Sequence, residues 1–144
     1  MRKIIAVIIL ILSQNIIAQS EFEEINKVLL NYIEGTANGE PDRVRNAFDK
    51  KLNLYHIKND SLVIWKGENY VNNIKKGKKG KKGKKSNRVG RVVSIDYENN
   101  AAIAKIEIIM PKWKRVYTDY MMLLKVQGKW KIIHKSFTYR KYIE

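Results

Sequence analysis

The sequence predicts a single α+β domain in which helices pack on one face of a curved antiparallel sheet. Three observations predict it. Apolar residues recur at helical spacing between residues 20 and 48, and the spacing then changes to the alternation of strands. The last third of the chain holds four strand-like segments joined by short turns. At 144 residues and 44% hydrophobic content, the chain can bury one core but not two. Helices followed by a run of antiparallel strands is the order of α+β folds.

The chain opens as a targeting segment. Arg2 and Lys3 precede the apolar run "IIAVIILIL" (4–12), and "SQNIIAQS" follows, with Ala18 as the expected last residue before cleavage. This is the pattern of a secretory signal peptide over residues 1–18. The apolar run is shorter than the roughly 20 residues that span a bilayer. The mature domain is expected to run from residue 19 to residue 144, outside the cytoplasm: secreted or periplasmic.

Residues 20–35, "SEFEEINKVLLNYIEG", place Phe22, Ile25, Val28, Leu29, Tyr32 and Ile33 on one helical face. Ser20 with Glu23 fits a capping box, and Gly35 fits a helix stop. "NGEPDRVRNAF" (38–48) restarts a short helix with Pro41 in its first turn, where the missing N–H costs nothing. "LNLYHIK" and "SLVIW" flank Asn59-Asp60 as a tight hairpin, and "GENYVNNIKK" (67–76) reads as a third helix. Strands are expected at 88–98, 101–110, 115–126 and 129–139. Asn99-Asn100 and Gln127-Gly128 serve as two-residue turns, with "PKWKR" a longer link.

Those turns set a register. Pairing Val126 with Lys129 puts Lys125 opposite Trp130, Leu123 opposite Ile132, Met121 opposite His134 and Asp119 opposite Ser136, all on one face. The Asn99-Asn100 turn pairs Tyr97 with Ala102, Ile95 with Ala104 and Val93 with Ile106. Ala102, Ala104, Ile106, Ile108 and Met110 then form an apolar inner set, joined by the polar Asp119, His134, Ser136 and Tyr117. Lys129, Lys131 and Lys135 fall on the opposite, wetter face. Tyr55 and His56 adjoin, so only one points inward, and His56 is expected at the surface.

The formal charge of +15 is concentrated in "IKKGKKGKKGKKS" (74–86), where Lys75, Lys76, Lys78, Lys79, Lys81, Lys82, Lys84 and Lys85 are spaced by glycines. Two readings follow: a flexible solvated insertion, or a patch that adheres to a polyanion or an anionic membrane surface. The run lacks the interleaved aromatics of single-strand binders, so specific nucleic-acid binding is not expected. With no cysteine, disulfides, thiolate metal sites and lipid attachment through Cys are excluded. No glycine-rich phosphate fingerprint follows a strand and no metal-ligand cluster appears, so the sequence implies neither cofactor nor metal.

The segments "NYIEG", "NGEPDRVRNAF", "GRVVSIDYENNAAIAKIEI" and "YTDYMMLLKVQGKWKIIHKSF" together resemble the nuclear transport factor 2-like superfamily, and most closely its lumazine-binding branch of small secreted bacterial proteins. The resemblance covers about residues 21–139. It implies a cone-shaped fold, a strongly bent sheet wrapped around three helices to enclose a pocket, and homodimers that pack through the sheet. Many branches carry "F-H-P-D" after the second helix where this chain has "FDKK" (48–51).

The leading expectation is a non-catalytic domain that binds a small hydrophobic or aromatic ligand. Its candidate pocket residues are Tyr32, Tyr97, Tyr117, Asp119, Met121, Trp130 and His134. Their aromatic rings can stack on a flat ligand or simply fill the core. The competing expectation is an acid–base enzyme of dehydratase, isomerase or cyclase type with Asp119 and His134 as its base pair, since enzymes of this fold such as ketosteroid isomerase place such groups in the cone. The same two residues can also be a satisfied interior pair. The face carrying Val116, Tyr120, Met122, Leu124 and Ile133 is apolar as well, the pattern of a dimer interface.

Overall fold

A computed structural model describes the backbone of residues 2–79 and 88–142 and the side chains of residues 20–74 and 88–142. The elements run α1 (Arg2–Asn38), α2 (Pro41–Ala47), β1 (Phe48–Lys58), β2 (Ser61–Lys66), α3 (Gly67–Lys79), β3 (Val89–Glu98), β4 (Ala101–Met110), a 3-10 turn (Pro111–Trp113), β5 (Arg115–Val126) and β6 (Lys129–Lys141). The lysine run lies largely outside the described residues, as do the side chains of Lys75, Lys76, Lys78 and Lys79 and those of the targeting segment. Among the described residues, no helix is long and apolar enough to cross a membrane.

The six strands form one open sheet in the order β2-β1-β6-β5-β4-β3. Four of the five strand pairings are antiparallel, but β1 pairs with β6 parallel, so the sheet is mixed rather than purely antiparallel. The hairpin turns expected at Asn59-Asp60, Asn99-Asn100 and Gln127-Gly128 are all present. Asn59 and Asp60 both take positive φ, the geometry that matches the strand twist of a two-residue hairpin.

α1 is longer than the sequence implied. It is continuous across Ser20, which therefore lies inside the helix rather than capping it, and it continues past Gly35 to Asn38, with Gly39 at φ 66° just beyond. Gly35 has a packing role instead. A Cβ there would lie 2.7 Å from Val44 Cγ2, so glycine lets α2 approach α1. Gly90 does the same for β3, where a Cβ would meet Ile33 Cγ2 at 2.5 Å.

The core lies between the helices and one face of the sheet. Ile25, Leu29 and Tyr32 of α1 and Val44 of α2 are fully buried against Leu52, Leu54, Ile106, Leu123 and Ile132. Ala102 and Ala104 of β4 are buried in the same cluster. Trp130 anchors the start of this packing: its Nε1 donates to Glu21 Oε2 at 2.7 Å, while Lys125 pairs with the same carboxylate.

Irregularities in β6 and β3 redirect the register of the late strands. On β5–β6 the pairs run Lys125 with Trp130 and Leu123 with Ile132 as expected, then skip Ile133, so Met122 meets His134, Met121 meets Lys135 and Asp119 meets Phe137. One extra residue in a strand turns every later side chain to the other face. His134 and Ser136 therefore leave the helix-facing side and Lys135 enters it, the reverse of the sequence expectation. On β3–β4 the extra residue is Val93, so Val92 rather than Val93 pairs with Ile106. Val93 is exposed as a result.

Candidate functional site

The β6 bulge brings a charged group into the interior. Lys135 and Asp119 are 4% and 1% exposed, and Nζ lies 2.9 Å from Asp119 Oδ2. The Tyr32 hydroxyl donates to the same oxygen at 2.7 Å and accepts from Lys135 Nζ. Arg88, the last residue before β3, donates through Nη2 to the Tyr32 hydroxyl at 3.4 Å. The ammonium of Lys135 also lies 4.7, 5.4 and 5.0 Å from the ring centres of Tyr32, Tyr70 and Phe137. A buried charge is tolerated when it is paired and hydrogen-bonded, and this one is both.

The cluster separates the acidities of its two tyrosines. Burial, and then the Asp119 carboxylate, push the Tyr32 phenol well above its ordinary range. At Tyr70 burial acts in the same direction, but the Lys135 ammonium and the Arg88 guanidinium outweigh it and hold that phenol below its ordinary value. Arg88 stays protonated. Burial disfavours its charge, yet the neighbouring phenols and Asp119 favour it more.

Phe137 connects this cluster to an aromatic wall on the same side of the sheet. Its ring stacks on His56 at 4.7 Å and lies 5.4 Å from Trp65 and 6.3 Å from Tyr117. Tyr117 in turn contacts Tyr139 at 5.4 Å, and the Arg115 guanidinium caps Tyr139 at 4.3 Å. Trp65 and Tyr139 are nearly half exposed, whereas Phe137, His56 and Tyr117 are partly buried. A solvent-facing row of rings therefore leads to a buried ion pair.

The opposite face carries a separate groove of about 400 Å³, lined by Tyr120, Met122, Ile103, Asp96, His134 and Ser136 among others. His134 stacks there on Tyr55 at 4.6 Å.

Residues 20–138 match the family described as "Putative lumazine-binding". The chain belongs to this family. Similar solved structures include a nuclear transport factor 2-like protein of unknown function from Shewanella baltica, 24% identical over 85% of this chain and 96% of that one, with a TM-score of 0.72. A counterpart of unknown function from Methylobacillus flagellatus is 23% identical over 84% of this chain and 93% of that one, with a TM-score of 0.70. At such identities the likeness establishes the nuclear transport factor 2-like fold and nothing finer. The search of curated proteins found no match.

Within this lumazine-binding family member, the residues expected at the pocket separate into three groups. Tyr32, Met121 and Trp130 are packed into the core, Trp130 and Met121 being 3% and 1% exposed, so their surfaces are already covered by protein. Tyr97 is partly buried against the same core. Asp119 is interior and Tyr117 stands on the aromatic wall. His134 is on the other face, so Asp119 and His134 cannot act together as a base pair. Ile133, the bulged residue, is the physical reason.

His56, expected at the surface, points toward the helices and joins the wall, whereas Tyr55 faces outward. The residues that sequence reasoning missed are Lys135, Phe137, Trp65, Tyr70 and Arg88. One signal pointed to two of them, Lys135 and Phe137. Along β6 the inward apolar residues change from even positions, Trp130 and Ile132, to odd ones, Phe137 and Tyr139, and two adjacent isoleucines mark the change.

Proposed function

We propose that the chain is a secreted or periplasmic domain that binds a small aromatic ligand on the helix-facing side of its sheet, without catalysis. The observation that carries this reading is the partly exposed wall of Trp65, His56, Phe137 and Tyr117, continuous with the buried Lys135–Asp119 pair. Aromatic rings left partly open to water next to a few fixed polar groups are what small-ligand sites are made of. Family membership supports the same class of function.

Extracytoplasmic placement is supported by the N-terminal pattern. Glu21 makes contacts with Trp130 and Lys125, and Ile25 is buried in the core, so removal of residues 1–18 leaves these anchors in place. Self-association is supported by the opposite face, where Ile103, Tyr120 and Met122 are each about half exposed. Val116, expected on that face, is 6% exposed and contributes little to it.

The test is native mass spectrometry of the protein purified from its own host. A bound small molecule that is lost in Trp65→Ala is the expected result. A protein that never carries a ligand, and whose Trp65 fluorescence responds to no planar aromatic compound, would refute the reading.

A further inference from the structure

The register shows what lies beyond the ion pair on the helix-facing side. Three successive rows cross β6, β5 and β4: Phe137, Asp119 and Ile106; then Tyr139, Tyr117 and Ile108; then Lys141, Arg115 and Met110. The one carboxylate in these rows, Asp119, is held by Lys135 and Tyr32. The outer row carries two cations.

Arg115 is the better placed of the two. Its Nη1 donates to the Tyr117 hydroxyl at 3.3 Å, and its guanidinium carbon lies over the Tyr139 ring, 4.3 Å from the ring centre. Both contacts fix its direction, and among the described residues it has no carboxylate partner. A fixed guanidinium presents a planar fork that matches a carboxylate. Within the wall, His56 Nδ1 is buried and has no hydrogen-bond partner, a position that a ligand heteroatom can satisfy.

We propose that the wall takes a planar aromatic or heteroaromatic acid, its ring against Phe137 and Tyr117 and its carboxylate on Arg115. This rests on the small-ligand reading above and adds the charge and the anchoring residue. The ring stacks where the wall is continuous, at Phe137 and Tyr117. The acid group then reaches Arg115 because Tyr117 holds that guanidinium at its own hydroxyl. A neutral aromatic gains the stacking alone.

The experiment compares 2-naphthoate with the neutral isostere 2-naphthamide by calorimetry on the full chain, in parallel with the variants Arg115→Gln, Tyr117→Phe and Trp65→Ala. The expected result is that naphthoate binds at least about tenfold more tightly, the scale of one hydrogen bond to a charged group. Arg115→Gln should bring the two ligands to parity, and Tyr117→Phe, which frees the guanidinium, should reduce the preference several-fold. Trp65→Ala should weaken both ligands.

Equal affinities in the parent protein, or a preference that survives Arg115→Gln, would overturn the acid inference. If Trp65→Ala still weakened both ligands, the wall itself would stand. Failure of both compounds to bind at millimolar concentration would remove both readings. The three substituted side chains are at least partly exposed, and circular dichroism of each variant checks that it folds.

Discussion

Separating Lys135 from Asp119 should be the most costly single change in this domain, and a double-mutant cycle measures it. The two charges are 2.9 Å apart and nearly inaccessible to water. At that separation the attraction is about 6 kcal/mol with an effective dielectric constant of roughly 20, before desolvation is subtracted. Removing one partner of a buried pair costs about 3–5 kcal/mol, because the other charge is left uncompensated. In Asp119→Asn the ammonium keeps the Tyr32 hydroxyl and three ring faces, so the loss should fall near the lower end. In Lys135→Met the carboxylate keeps the hydrogen bond from Tyr32, and the loss should fall near the upper end. With both changes together no charge is stranded. The double variant should be more stable than the sum of the two losses implies, with a coupling energy of at least about 2 kcal/mol. Urea unfolding followed by tryptophan fluorescence gives all three values. Against a typical domain stability of roughly 5–15 kcal/mol, these losses are easily resolved. A Lys135→Met variant that loses less than about 1 kcal/mol, or single losses that simply add, would refute the reasoning and imply that water reaches the pair.

Three further outcomes are expected. Gly35→Ala improves helix propensity by about 1 kcal/mol but drives a methyl to 2.7 Å from Val44, so net destabilisation of about 1–3 kcal/mol should appear as a lower urea midpoint. Hydrogen bonds from Lys125 and then Trp130 depress the Glu21 carboxyl below its ordinary value of 4.5. Its contribution is thus present above that value and is lost as pH falls through the depressed one. The stability difference between the parent and Glu21→Gln should shrink to nothing over that acidic interval and stay constant above it. Met122→Glu, on the exposed outer face, should convert a sedimenting dimer to monomer without changing the circular dichroism spectrum, and a parent protein that is monomeric at micromolar concentration would rule out that interface.

Much of the architecture was legible because it depends on periodicity and on turns. The four late strands, their connecting turns and the third helix can all be read from alternation and from dipeptides such as Asn59-Asp60, whose positive φ values few residues accept. The end of α1 was less legible. Gly35 looks like a stop in a linear pattern, and its use as a contact point for Val44 is visible only once α2 is in place. The parallel pairing of β1 with β6 was also hidden, since no local turn joins strands so far apart in sequence. The register was legible only as far as Ile132.

That last failure decides where the chemistry lies. A turn fixes register for the residues next to it, but one unpaired residue cancels its authority for everything beyond. Ile133 takes that unpaired place, and the exchange it causes puts a lysine rather than a histidine on the helix-facing side, within reach of the β5 carboxylate. With histidine inside, the pair would have suited proton transfer at neutral pH. With lysine inside, Asp119 holds a cation in place between three rings, and His134 is left on the outer face beside Tyr55. The same shift brings Phe137 alongside Lys135 and turns Tyr139 toward Tyr117, which builds the wall. The features that favour binding over acid–base chemistry thus trace to one unpaired residue, and deleting Ile133 tests that account. His134 would then follow Ile132 directly and still pair with Met122, so Lys135 would stay opposite Met121 and Phe137 opposite Asp119, and the wall and its ligand affinity should survive the deletion; loss of both would refute the account.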